Sequence, residues 1–281
     1  MGPARSTAPL AEVWDTAAPP APAPPAGATR RKRLARPARI AASAASLVLL
    51  WWAGSRLYAS YVFPGPGAVW TSFTSALGRG AWTQEVGSTM LHMAAAVSVI
   101  VLVGLPVGIL IGRSVVAEDL TRVWLVFLQT VPTVVLIAIA LIFIGAGTSA
   151  VVAVTVAGGL SYFLLNVIQG TRAIDRDLVE MARAYGASER VVLRTVLLPS
   201  VVPYLLAGSR VTLGVAWQIT LFAEYLMGSD GVSFQVSTSI KLLDTGSVFM
   251  WGLSIVCLTL LLEYGAFRPV EAHLTRHAPS R

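Results

Sequence analysis

Charge is what this sequence has least of. Acidic and basic residues occupy only 12% of its 281 positions, about half the share expected of a soluble domain. Lysine is nearly absent: Lys32 stands in an arginine run and Lys241 in SIKLL. A phosphate-binding loop for nucleotide hydrolysis needs a glycine-rich turn followed by Lys and Ser or Thr. Neither lysine has that setting, so hydrolysis by such a loop is excluded. One cysteine, Cys257, lies in an apolar run, which excludes a disulfide framework and a cysteine-based zinc site. Of three histidines, His92 stands alone in apolar surroundings and is read as a packed or interfacial side chain. His273 and His277 are four apart but find no third ligand nearby, so no metal site is assigned. No Ser-His-Asp or Cys-His spacing stands out, and no catalytic residue or cofactor-binding residue is assigned.

What the chain does have is apolar surface: 55% of its residues are hydrophobic. The net charge of +7 and pI near 10.1 do not mark a nucleic-acid surface, because the arginines flank apolar runs instead of forming a face. The expected class is an all-α membrane protein, embedded in lipid and without a nucleic-acid partner.

Residues 1–36 form the first segment, rich in Pro and Ala and closing in a basic run with Arg30, Arg31, Lys32, Arg33 and Arg36. Too little large apolar surface is present to order it, so a disordered cytoplasmic tail is expected. Residues 37–270 form the transmembrane domain and 271–281 a cytoplasmic C-terminal tail. About 20 apolar residues span a bilayer as a helix, and six such stretches occur, near 38–58, 87–112, two within 123–171, 200–223 and 245–262. The run from Val123 to Thr171 carries no charge and is too long for one helix; Gly145 to Ser149 divides it. Basic residues crowd before the first stretch and between the fourth and fifth, which places both termini and the 172–199 loop in the cytoplasm.

That loop holds the longest strongly charged segment, EMARAYGASERVVLRTVLLP, from Glu180 to Pro199. Leu178, Met181, Ala182 and Tyr185 share one helical face. Gly186 suits a left-handed helix stop and Ser188 the cap of a second helix. Pro199 removes a backbone donor and bends that second helix. Two short surface helices joined by a tight turn are predicted.

These residues resemble a known pattern. Permease subunits of ABC importers carry a loop written EAA, three residues, Gly, nine residues, Ile, one residue, Leu-Pro. Glu180, Ala182, Gly186, Leu198 and Pro199 match at the same spacing, with Met181 for the second alanine and Val196 for the isoleucine. The resemblance covers about residues 60–270. FPGPGAVW (63–70), LQTVPTVVLIAIALIFIGAG (128–147) and AWQITLFAEYLMGSDGVSFQV (216–236) are similar to the sulfonate, nitrate and taurine branch. It implies a bacterial cell-membrane subunit that forms the path for a small solute, an organic or inorganic anion such as a sulfonate, taurine or nitrate. An uncharged or cationic heterocycle is the alternative. It also implies a second, identical permease chain, an external solute-binding protein, and cytoplasmic ATPase subunits that carry ATP and Mg. Those ATPase subunits would dock on Glu180, Ala182, Gly186, Val196, Leu198 and Pro199. A secondary transporter would show intramembrane carboxylate pairs and inverted repeats, neither of which is evident; a membrane anchor without transport would not need polar residues in mid-span.

Polar residues within spans face protein or water. Gln129, Asn166 and Gln169 suit hydrogen bonds between helices, and Gln129 and Asn166 are also path candidates. Pro106 and Pro132 are expected bends or gates. Gly104, Gly108 and Gly112 recur every four residues and suit close helix packing. Arg210 lies about 16 Å beyond Pro199 along a helix, and Trp217 and Glu224 follow on nearly the same face, with Gln218 beside them; all four are translocation-path candidates. Two readings stand for Arg210: a path-lining cation or half of an internal salt bridge.

Overall fold

The structure, a computed structural model, describes residues 26–174, 180–182 and 184–267. Within them every regular element is helical: α1 (Ala26–Leu57), α2 (Pro66–Gly78), α3 (Ala81–Gly112), α4 (Val115–Thr130), α5 (Thr133–Phe143), α6 (Thr148–Arg172), α7 (Glu189–Val192), α8 (Leu198–Met227), α9 (Val232–Lys241) and α10 (Thr245–Leu261). A π-helical turn, Leu193–Leu197, joins α7 to α8, and another, Leu262–Phe267, extends α10.

The chain divides between Ala53 and Gly54 into two units. The first contains most of α1, whose Leu47, Val48, Leu49 and Leu50 are exposed, as a lipid-facing helix requires. α1 begins at Ala26, so residues 26–36, expected to be disordered, are helical. Ala, Arg, Lys and Leu all have favourable helix propensity. Residues 1–25 and the tail 271–281 lie outside the described residues.

In the second unit α6 is the central helix, with α3 and α8 packed along it. The glycine seam of α3 explains the closeness of that packing. A Cβ on Gly104 would stand 2.5 Å from Phe163, one on Gly108 2.6 Å from Val167, and one on Gly112 2.7 Å from Thr171. The partner positions rise with the glycine positions, so α3 and α6 run parallel. α8 runs antiparallel to α6: Gly158 meets Ile219, while Gly208 meets Asn166. Lipid tails are as apolar as leucine, so close van der Waals packing, more than hydrophobicity, joins such helices. One core cluster joins α5, α6 and α8 through Ile137, Val151, Val154 and Ile219. A second joins α3 to α6 through Ile100, Ile109, Phe163 and Val167.

Three helices are long and apolar enough to cross a membrane: α3, α6, and α10 with its continuation to Gly265. α4 and α5 make a fourth if their bent pair is one span; they meet at 93°. The third expected stretch is therefore broken, at Val131 and Pro132. Pro132 has no N–H to continue the ladder of α4 and becomes the N-cap of α5. Pro106, by contrast, stays inside α3 without ending it. α1 and α8, of 32 and 30 residues, occupy the first and fifth expected positions, and each exceeds about 30 Å in length.

Candidate functional site

The 180–199 segment is a helix, a turn and a second helix. Residues 180–182 and 184 are helical; Arg183 lies outside the described residues. The turn is at Gly186, whose φ of +79° lies in the left-handed region that glycine enters without penalty. Ala187 N–H donates to the Ala182 carbonyl at 3.0 Å across it, closing the first helix in the manner of a Schellman end. Ser188 has extended backbone before α7, but its hydroxyl makes no capping bond. Instead Glu189, in the first turn of α7, accepts from Arg113 at 2.8 Å. Glu180 and Gly186 are exposed and Ala182 is half-buried. Val196 sits in the π-helical turn, half-buried, and Leu198 packs against the α3–α6 cluster. Pro199 falls in the first turn of α8, where its missing N–H costs nothing; the departure from regular α geometry precedes it.

A second arrangement lies where α3 begins and α8 ends. Glu224, fully buried, accepts from Thr89 Oγ1 at 2.9 Å and from the Ser233 N–H at 3.3 Å, and stands 2.8 Å from His92 Nδ1. Glu85, also buried, accepts from the Gly231 N–H at 2.7 Å and from Gln235 Nε2 at 2.8 Å. Val232 N–H donates to Thr89 Oγ1 at 2.9 Å. His92 Nε2 lies 3.2 Å from Thr148 Oγ1. The 228–231 loop and the start of α9 are thus fastened by two buried carboxylates, Glu85 of α3 and Glu224 of α8, whose acceptor sites are met by backbone and side-chain donors. Gly231, at φ +104°, allows it: a Cβ there would stand 2.4 Å from Glu224 Cδ. Glu85, Thr89 and His92 share one face of α3 at spacings of four and three, a polar stripe legible in the sequence.

The third feature is an open pocket of about 780 Å³ at the α4–α5 elbow, lined also by α6 and α8, within the range of small-molecule sites. Leu128 and Gln129 line it before the bend and Val131, Thr133, Val134 and Leu136 after it. Tyr162 comes from α6; Gln218, Phe222 and Tyr225 come from α8; Ser233 comes from α9. Among the described residues no Asp, Glu, Lys, Arg or His lines it. Gln129 Nε2 is sealed from the pocket and, among the described residues, has no hydrogen-bond partner.

Of the path candidates, the pocket brings together Gln129 and Gln218. Trp217 is buried away from it and donates its indole N–H to Thr259 Oγ1 at 2.9 Å, tying α8 to α10. Asn166 donates to the Tyr162 carbonyl at 2.8 Å and lies directly over Gly208. Glu224 belongs to the polar cluster, and Arg210 is paired with Glu263 in the turn that extends α10. The sequence alone does not single out Tyr162, Phe222 or Tyr225, because aromatic residues are unremarkable in apolar helices.

These features define a helical membrane protein with an exposed helical loop and an open, uncharged pocket between helices. Residues 104–266 match the family described as binding-protein-dependent transport system inner membrane component, and the chain belongs to that family. It is 25% identical to the taurine transport system permease protein TauC of Escherichia coli, over 82% of this chain and 86% of that one. It is 33% identical to the glycine betaine/proline betaine transport system permease protein ProW of Escherichia coli, over 66% of this chain and 51% of that one. Among solved structures it shares the fold of a chain from the inward-facing MetNI methionine ABC transporter, with a TM-score of 0.56, 20% identity, and coverage of 67% of this chain and 94% of that one.

Proposed function

We propose that this chain forms the translocation path of an ATP-driven importer and has no ATPase site of its own. Two copies of the chain would pair in a bacterial cell membrane, with both termini in the cytoplasm. ATP and Mg would be held by separate cytoplasmic ATPase subunits docked on the 180–199 segment, and an external binding protein would deliver the solute. The observation that carries this reading is the turn at Gly186. Its φ of +79° presents an exposed helix end at the position where the importer motif has its glycine.

The mechanical consequence comes from the packing. Leu198 and Leu193 rest on the α3–α6 cluster, and α8 continues from this turn to the pocket. A push or pull on the docked loop is therefore delivered to the helix that carries Gln218, Phe222 and Tyr225. Nucleotide binding by the partner would move the path one way and hydrolysis would return it.

The proposed solute is small and carries acceptor oxygens, as a sulfonate, taurine or nitrate does. This draws on the likeness to TauC. A second reading, an uncharged or cationic heterocycle, is favoured by the aromatic walls formed by Tyr162, Phe222 and Tyr225.

Gly186→Val tests the coupling. No atom lies within 4 Å of a Cβ at Gly186, so the effect arises from backbone strain in the loop, not from a clash in the helix core. Membrane insertion should be normal, while ATPase co-purification and solute-stimulated ATP hydrolysis fall severalfold. Full transport by this variant would remove the assignment.

A further inference from the structure

We infer that α2 is an interfacial helix, lying where headgroups and acyl chains of the outer lipid leaflet meet, with Trp70 and Leu77 on its lipid side. The choice of leaflet rests on the importer reading; the contact with lipid does not. No residue from Leu57 to Gly78 is charged, but the helix in this segment is too short to cross a membrane. Its 13 residues give about 20 Å of helix against a bilayer core of about 30 Å. Both its middle and its end are fixed in place. A Cβ on Gly246, in the first turn of α10, would stand 3.0 Å from Ser72 Oγ, and only Arg79 and Gly80 separate α2 from α3. The helix therefore lies across the ends of two long apolar helices. The far end of α3 is at Arg113, which meets Glu189 of the docking segment, so α2 and that segment occupy opposite faces.

Three flanks of α2 meet three environments. Val69 and Ala76, 6% and 3% exposed, face the protein. Trp70, Phe73 and Leu77 recur at spacings of three and four along the next flank, where Trp70 is 64% and Leu77 45% exposed. Ala68, Thr71, Ser75 and Gly78 recur in the same way along the far flank, and all four are exposed. A helix lying at a lipid surface shows this division, with bulky apolar groups to one side and small or polar groups to the other.

The chemistry of the segment selects lipid over a protein partner. The Thr71 hydroxyl donates to the Ala68 carbonyl at 2.7 Å, and that of Thr74 to the Trp70 carbonyl at 3.2 Å. Neither threonine brings an unmet donor to an apolar surface. Trp and Tyr concentrate where membrane meets water, and Tyr58 and Tyr61 of the same uncharged segment are exposed together with Trp70. Two exposed arginines, Arg56 and Arg79, bracket the segment, and a guanidinium at such a border meets lipid phosphate. Behind the lipid-facing flank, Phe73 packs edge-on against Trp82 with ring centroids 5.7 Å apart, and the Trp82 N–H donates to Ser254 Oγ at 3.0 Å. Immersion of α2 thereby sets the depth at which Glu85 and Thr89 of α3 meet Gly231 and Val232.

The test uses the full chain in vesicles of phosphatidylethanolamine and phosphatidylglycerol, with Cys257→Ser and a nitroxide on Leu77→Cys or Ser75→Cys. Power saturation compares collisions with oxygen, which concentrates in lipid, and with a water-soluble nickel chelate. Leu77→Cys should favour oxygen about threefold and Ser75→Cys should favour nickel by a similar factor. Trp70→Glu, which cannot enter the acyl region, should bring the Leu77→Cys ratio to about one. If Leu77→Cys does not assemble, Trp70→Cys reports from the same flank. Preference for nickel at Leu77→Cys would overturn the inference, as would a ratio that Trp70→Glu leaves unchanged. So would a label shielded from both reagents whose dipolar broadening vanishes on dilution with unlabelled chain, the sign of a second copy seated on α2. On intact cells, a membrane-impermeant maleimide should reach Ser75→Cys. Failure to reach it while the oxygen preference holds defeats the topology of the importer reading and leaves the lipid contact standing. Outside labelling without oxygen preference at Leu77→Cys does the reverse.

Discussion

Glu224 Oε1 lies 2.8 Å from His92 Nδ1, joining the end of α8 to the first half of α3 across 132 positions of chain. Both side chains are buried, and Thr89 and the Ser233 N–H complete the acceptor's partners. Replacing the carboxylate with an apolar group strands all of these donors at once. Glu224→Leu should destabilise the protein by roughly 3–5 kcal/mol, and Glu224→Gln, which keeps an acceptor oxygen, by clearly less. The monodisperse fraction surviving a heating series in detergent measures the difference. Equal losses for the two variants would mean that the network adds little.

Glycines in this chain separate into those that touch a neighbour and those that do not. Gly108→Val drives a Cβ to 2.6 Å from Val167 Cβ, an atom close to the backbone of α6 that cannot swing aside. Helix separation should result, with a loss of roughly 2–4 kcal/mol. Gly214 lies in α8 with nothing within 4 Å of its Cβ position. Gly214→Ala should be neutral or stabilise by about 0.5–1 kcal/mol through helix propensity. Thermal stability of the two variants side by side decides this; a destabilised Gly214→Ala would count against the packing.

Arg210 and Glu263 form an ion pair between α8 and the turn after α10. Arg210→Gln leaves Glu263 without this partner, and the exchange of both charges restores the pair. If the pair holds helices together, Arg210→Glu with Glu263→Arg recovers the folded yield that either single reversal loses. A path-lining cation would instead lose transport in the exchange despite normal yield. We expect recovery of both, read by folded yield and uptake on the same preparations.

The proposed topology puts residue 188 in the cytoplasm and residue 241 outside. Ser188 and Lys241 are both exposed, so either position accepts a thiol reporter in a Cys257→Ser background. Membrane-impermeant maleimide on intact cells should label Lys241→Cys and spare Ser188→Cys, with both labelled after permeabilisation. Labelling of Ser188→Cys from outside would invert the arrangement.

What the sequence determined by itself was local. Its apolar runs and sparse charge implied membrane helices. The 180–199 segment announced a helix, a glycine turn and a second helix through spacing alone, because those contacts lie within a few residues. Gly104, Gly108 and Gly112 marked a packing face for the same reason. Which side of each long helix faces protein was less legible, since α3 and α10 are apolar nearly all round and a lipid-facing leucine looks like a core one. Tertiary structure alone therefore decided that Glu224 meets His92, that Arg210 meets Glu263, and that Gln129 shares a pocket with Gln218. Each pair is separated by tens of residues or more, and only the packing of helices brings the partners together. The bend at Pro132 lies between these limits: proline made a break expected, and only packing set its angle at 93° and opened the pocket beside it.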